Sequence, residues 1–150
     1  MKLLNLLFPL IAVMAGCATP RAQYGNLVAN APSGMNVKLV ADTVTQLASL
    51  YPPAATKLIL EQGISKDDEY GLSLLTTLRN KGYAVQEYSP EQPVLEASGV
   101  RLGYVIDAPA KTQPNIYRIK VKAGSNTLTR AYKARNDVIT PAGAWSRRMD

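Results

Sequence analysis

Apolar residues recur at helical spacing in two segments of the chain. The first segment follows Asn36 and stops at Pro52-Pro53, with apolar residues at Val37, Val40, Ala41, Val44, Leu47, Ala48 and Tyr51. The second follows an acidic stretch and stops before Gly82, with apolar residues at Leu72, Leu74, Leu75 and Leu78. This period predicts two amphipathic helices. We expect Asn36 and Ser65 to be their N-caps, since both side chains can accept a hydrogen bond from a first turn.

Residues that alternate between apolar and polar predict strands in the second half of the chain. Two short apolar segments, 56–61 and 83–88, follow the two helices and predict single strands. Beyond a loop over 89–99, the apolar members of two alternating segments are Leu102, Tyr104, Ile106, Tyr117, Ile119 and Val121. A tight turn at 123–126 predicts a third strand over 127–134, so the three strands form a meander.

The predicted element order is therefore α-β-α-β-β-β-β, in a single domain over residues 36–150. Two amphipathic helices and a sheet with one apolar face bury those surfaces by packing together. The result is an α+β fold with both helices on one face of a small, mainly antiparallel sheet. The opposite face is expected to be open to solvent or to a partner.

The predicted open face is basic. Because side chains alternate along a strand, Arg118, Lys120 and Lys122 lie on the side opposite the apolar residues. We expect Arg130 of the next strand on the same face. Tyr117 alternates with these cations and points into the core, where it cannot stack on bases, which argues against nucleic acid as the partner.

Charge along the chain is consistent with such a face. Residues 1–99 contain seven Lys/Arg and eight Asp/Glu, a balance of −1, whereas residues 100–150 contain ten and three, a balance of +7. Together they give the net charge of +6. A basic face of this kind either binds an anionic partner or is solvated, and composition alone does not separate the two.

The end of the chain contains its only tryptophan, Trp145, and two adjacent arginines, Arg147 and Arg148. Trp and Arg are enriched where proteins contact partners, so residues 141–148 are a candidate docking element. The alternative is that Trp145 covers the end of the core, as a large amphipathic ring often does. Both interpretations stay open at the level of sequence.

The N-terminus has the three parts of a secretory signal. Lys2 precedes an apolar run over 3–13, and small residues precede Cys17, the only cysteine. Residues 14–17 resemble the lipobox of bacterial lipoproteins, which implies a signal peptide over 1–16 and a lipid on Cys17. One alternative is a membrane span, but the run is shorter than the roughly 20 residues a span needs. Another is an ordinary signal cut after Ala18, which would discard the thiol.

Residues 17–35 are rich in turn formers and show no apolar period, which predicts a lipidated tether between the anchor and the domain.

The composition removes most catalytic chemistry. The chain has no histidine and a single cysteine, so it lacks the commonest general base and any Cys/His metal cluster. Asp67, Asp68 and Glu69 are consecutive at a helix start, where carboxylates stabilise the helix and do not converge on one bond. Ser65 and Lys66 are adjacent and point apart, which argues against a serine–lysine dyad. We predict no catalytic residue, no metal site and no cofactor.

Four segments resemble the TrbH lipoproteins of plasmid conjugation. They are residues 23–26, 50–54, 78–84 and 141–148, which read Gln-Tyr-Gly-Asn, Leu-Tyr-Pro-Pro-Ala, Leu-Arg-Asn-Lys-Gly-Tyr-Ala and Pro-Ala-Gly-Ala-Trp-Ser-Arg-Arg. The resemblance extends over nearly the whole chain. It implies an outer-membrane lipoprotein, facing the periplasm, that helps to assemble or stabilise the type IV secretion channel of mating-pair formation. It implies no enzymatic activity.

The resemblance also carries expectations about membrane and partners. Ala18 follows the cysteine where enteric lipoproteins retained at the inner membrane have aspartate, so outer-membrane placement through the Cys17 lipid is expected. The partners are then other channel subunits, and a homo-oligomer within a ring is left open. A surface-exclusion or inhibitor lipoprotein is the alternative function, and a hydrolase acting through Asp67 or Asp68 is a third hypothesis.

Overall fold

The computed structural model describes residues 24–91, 98–109 and 114–150, which form an α+β fold with two helices and an eight-stranded mixed sheet. The predicted fold class is confirmed. The predicted signal peptide, Cys17 and the first part of the tether lie outside the described residues. The helices are α1 (Met35–Leu50) and α2 (Glu69–Asn80). The strands are β1 (Gly25–Asn26), β2 (Lys57–Leu60), β3 (Ala84–Gln86), β4 (Val100–Asp107), β5 (Ile116–Ala123), β6 (Asn126–Arg135), β7 (Val138–Pro141) and β8 (Ser146–Met149).

The sheet combines a parallel and an antiparallel half. Its strand order is β3-β2-β4-β5-β6-β7, with β1 also paired to β4 and β8 also paired to β6. Strands β1, β2 and β3 are parallel to their neighbours, because helical connections return the chain in the same direction. Strands β4, β5 and β6 form the predicted antiparallel meander.

The core lies between the helices and one face of the sheet. The predicted alternation is confirmed: the residues predicted to face the core from β4 and β5 are buried, and β6 adds Leu128 and Tyr132 on the same face. The helices supply Leu39 and Leu47 from α1 and Leu74 and Leu78 from α2 to the same cluster. Each such side chain stabilises the fold by about 1.5–3 kcal/mol through burial.

The buried stripe of helix α1 overlaps the predicted one only in part, at Val40, Val44 and Leu47. Met35 and Leu39 are fully buried, whereas Val37 is 71% exposed. The period is right, but the buried stripe is rotated by roughly a quarter turn, because the larger side chains face the core. Asn36 is also not the N-cap, since the helix begins at Met35 after Gly34, whose φ is 76°. The Asn36 amide instead donates to the Glu69 carboxylate at 3.1 Å.

Helix α2 is capped by Asp68 and not by Ser65. The Asp68 carboxylate accepts a hydrogen bond from the backbone N–H of Gly71 at 2.9 Å, one of the donors that a helix start leaves unpaired. Leu72, predicted on the apolar face, is 45% exposed. Gly71 is buried in its place because the Tyr104 hydroxyl of β4 occupies the space that a Cβ would fill.

The segment that precedes α1 is packed on the domain from Tyr24 onward. Strand β1 pairs with the second half of β4, and the backbone N–H of Leu27 donates to Ile106 at 2.9 Å. Val28 and Ala31 then contact the core. Within the stretch predicted as a tether, residues 24–34 therefore belong to the folded domain.

The C-terminal residues are part of the sheet and not a free tail. Strands β7 and β8 both pair antiparallel with the outer edge of β6, at 132–135 and 126–129 respectively. Between them, residues 142–145 face only two residues of β6, which makes a bulge in one long edge strand. Trp145 is part of this bulge and packs against the core.

Candidate interaction surface

The sheet face away from the helices is exposed along β4, β5 and β6. Arg118, Lys120 and Lys122 lie on it as predicted, because their strand neighbours Tyr117, Ile119 and Val121 are buried on the other side. The register places these three cations beside Ala131, Thr129 and Thr127 of β6, respectively. We call this surface, from β4 to β8, the open face.

Arg130 is not on the open face, and that prediction is wrong. It lies opposite Ile119 and has the same parity along β6 as the buried Leu128 and Tyr132, so it points toward the helix side. One guanidinium nitrogen lies 3.3 Å from an Asp42 carboxylate oxygen of α1. Its Nε donates to the backbone oxygen of Gly143 at 2.9 Å.

Arg130 also stacks on two aromatic rings. Its guanidinium carbon lies 5.7 Å from the ring centre of Tyr132 and 5.8 Å from that of Trp145. The Tyr132 hydroxyl donates to the same Asp42 carboxylate at 3.0 Å. This arrangement joins α1, β6 and the bulge, so Arg130 and Trp145 have structural roles, whatever else they contact.

Two cations of the open face were missed by the sequence analysis. Lys133 and Arg135 have the same parity along β6 as Thr127 and Thr129, and both are exposed. The signal was present, because the period of two that buries Leu128 and Tyr132 also turns these residues outward.

Three cations of the open face are paired. Arg118 donates to both carboxylate oxygens of Asp107, at 3.0 and 2.6 Å, and this hydrogen bonding raises the pKa of Arg118. The other two ion pairs join Arg101 to Glu61 at 3.9 Å and Arg148 to Asp150 at 2.7 Å. Within the described part of the chain, Lys120, Lys122, Lys133 and Arg135 have no carboxylate within ion-pair distance.

A shallow groove of about 390 Å³ crosses the open face. It is lined by Tyr24, Leu27, Val105, Asp107, Lys120, Lys122 and Thr127. The Tyr24 ring lies over Gly103, where a Cβ would come within 3.0 Å of it. Tyr24 and Leu27 are 40% and 46% exposed, so the groove has apolar walls on one side and two lysines on the other.

Arg147 and Arg148 lie on β8, at the outer edge of the sheet. The Nε of Arg147 donates to the side-chain oxygen of Asn126 at 2.7 Å, whereas Arg148 is on the open face beside Thr127. All four residues of β8 are exposed. The arginines are thus available to a partner, but on a strand of the sheet.

Asp68, in the acidic stretch at the start of α2, has a structural role. Asp68 caps the helix, and its second oxygen accepts from the Tyr104 hydroxyl at 2.7 Å. Across residues 24–91, 98–109 and 114–150, no three His, Cys, Asp or Glu side chains come together as metal ligands. Over the same ranges, neither helix has the length and apolar character needed to cross a membrane.

Fold and surface together define a small α+β domain with an exposed basic sheet face. The family model of the conjugal transfer protein TrbH matches residues 21–149. The chain therefore belongs to the TrbH family, which confirms the resemblance seen in the sequence, and its role is in conjugal transfer. The family is not a known enzyme family. No curated protein and no solved structure matches the chain.

Proposed function

We propose that this TrbH protein is a non-catalytic outer-membrane lipoprotein that helps to assemble or stabilise a conjugative type IV secretion channel. Cys17 carries the lipid, and the domain faces the periplasm. The observation that carries the proposal is membership of a conjugal transfer family over residues 21–149. The lipobox-like residues 14–17, at the end of a signal-type sequence, support the anchor.

The described surfaces suit a binding role. The open face carries cations without carboxylate partners, and the outer edge of β8 has backbone groups that pair with no other described strand. An exposed edge of this kind can accept a strand of another chain. Other subunits of the channel are the proposed partners, and a second copy of this chain within a ring is a further one.

The anchor is tested by replacing Cys17 with serine. We expect the wild-type chain to incorporate labelled palmitate and to fractionate with the outer membrane, and Cys17→Ser to lose both properties. The Cys17→Ser protein should not fractionate with the outer membrane, because Cys17 is the only cysteine that could carry the lipid. Unchanged labelling of Cys17→Ser would contradict the anchor.

A cross between two strains separates the channel role from the surface-exclusion alternative. The same anchor and basic face would serve an exclusion protein, but a channel component is needed in the donor, whereas an exclusion protein acts in the recipient. We expect deletion in the donor to abolish transfer and a plasmid-borne copy to restore it. Normal transfer from a deleted donor, with increased transfer into a deleted recipient, would support exclusion instead.

A further inference from the structure

We propose that the open face is a binding surface for anionic phospholipid headgroups, which seats the domain flat on the membrane that holds its anchor. The proposal takes the lipid at Cys17 from the proposed function, but only to fix the distance to the membrane. The surface itself follows from charge, position and the groove.

Charge is concentrated on this one side of the domain. Strands β4 to β8 direct seven cations to the open face, and three of them are paired with a carboxylate. The two helices carry no net charge, because residues 36–50 and 65–82 contain four Lys/Arg and four Asp/Glu. On that side of the sheet, Arg130 is paired with Asp42 and Arg147 lies at the outer edge. An anionic membrane therefore attracts the open face more strongly than the helix side.

The unpaired cations form a stripe and not a single point. Lys122 lies opposite Thr127, and Arg135 lies eight residues further along β6. At about 3.3 Å per residue, Lys120, Lys122, Lys133 and Arg135 extend over roughly 25 Å. A stripe of this length can contact several headgroups at once. This favours a membrane surface over a single small anion as the ligand of the open face.

The chain enters the domain on this same side. Tyr24 lies over Gly103 of β4, at the rim of the groove, and only residues 18–23 separate it from Cys17. A chain covers at most about 3.5 Å per residue, so the acyl-bearing cysteine is within roughly 25 Å of the open face. This length lets the lipid anchor and the open face contact the same bilayer.

The groove fits the chemistry of a membrane interface. Lys120 and Lys122 line it together with Tyr24, Leu27 and Val105. Tyrosine rings favour the headgroup level of a bilayer, where one end of the ring is apolar and the other is hydrated. A phosphate can therefore contact the lysines while the glycerol and first methylene groups contact the apolar side.

The test measures binding of the mature chain to vesicles without the acyl chain. We would use Cys17→Ser and sediment it with phosphatidylglycerol-containing vesicles, with phosphatidylcholine vesicles as the uncharged comparison. The double variant Lys120→Ala/Lys122→Ala should lower the partition coefficient roughly 30-fold. Each lysine near an anionic surface contributes about 1 kcal/mol, and each 1.4 kcal/mol changes the coefficient about tenfold. The matched control is Lys66→Ala/Lys81→Ala, which removes the same charge at the two ends of α2.

The expected result is salt-sensitive binding to anionic vesicles only, lost in the open-face variant and kept in the control. Equal losses in both double variants would mean that net charge and not this face binds, and would overturn the proposal. It would also be overturned by absence of binding, by tighter binding to single-stranded oligonucleotides, or by lysine-dependent dimers in sedimentation. If the chain binds anionic vesicles but incorporates no palmitate in cells, the proposed Cys17 anchor is contradicted and the proposed lipid-binding face is supported.

Discussion

Replacing Arg130 by alanine should destabilise the domain without removing any charge from the open face. Its side chain is 20% exposed and that of Asp42 is 14% exposed, so their contact is only partly screened by water. A hydrogen bond to a charged group contributes about 1.5–3 kcal/mol, and each cation–π contact about 0.5–1 kcal/mol at a partly exposed site. Asp42 keeps Lys38 at 3.0 Å and the Tyr132 hydroxyl, so no buried charge is left alone.

These terms sum to a loss of about 2.5–5 kcal/mol for Arg130→Ala. For a domain of this size, that loss lowers the melting temperature by roughly 8–20 °C. Urea unfolding followed by circular dichroism measures the free energy, and a thermal scan measures the midpoint. Lys120→Ala is the matched control, because Lys120 is exposed on the neighbouring strand and makes no described side-chain bond. We expect the control to change stability by less than about 0.5 kcal/mol.

Two outcomes would refute this reasoning. If Arg130→Ala and Lys120→Ala both unfold at the same urea concentration as the wild type, Arg130 does not hold α1, β6 and the bulge together. If Lys120→Ala is the more destabilising of the two, the side of the sheet assigned to each residue is wrong. Arg130→Lys should recover only part of the loss, because an ammonium cannot contact Asp42 and Gly143 as a guanidinium fork does.

Two further predictions concern the core. Gly71→Ala should lower the free energy of unfolding, measured in urea, by about 1–3 kcal/mol. Alanine favours helices more than glycine does, but its methyl group would displace the Tyr104 hydroxyl from Asp68. A variant more stable than the wild type would contradict this packing. Burial raises the pKa of Tyr70, Tyr104 and Tyr132. The stability that these hydroxyls contribute is therefore complete below about pH 10 and falls as pH rises further; for the fully buried Tyr70 the fall is up to about 1.4 kcal/mol per pH unit. Alkaline unfolding should be shallower in Tyr70→Phe, and a flat stability profile above pH 10 would contradict it.

The sequence predicts the elements of this fold better than their details. Alternation along β4 and β5 identifies both the buried face and three cations of the open face, because a period of two is a direct consequence of strand geometry. The same period applies to β6. It gives Arg130 the parity of the buried Leu128 and Tyr132, and it turns Lys133 and Arg135 to the open face.

Other features depend on contacts that a local pattern does not contain. The apolar stripe of α1 could be drawn through Val37 or through Leu39, and only packing against the sheet selects Leu39. Strand β8 is exposed along its whole length and Met149 is its only apolar residue, so no alternation marks it as a strand; it forms by pairing with the edge of β6. The groove likewise brings Tyr24 and Lys122 together from positions far apart in sequence.

The central claim is that this TrbH protein acts in conjugation as an anchored component of the donor. It is tested most directly by counting transconjugants from deleted donors that produce either the wild-type chain or Cys17→Ser at equal protein levels. We predict that the wild-type chain restores transfer and that Cys17→Ser leaves it at the level of the deletion. Full transfer with Cys17→Ser would contradict the account.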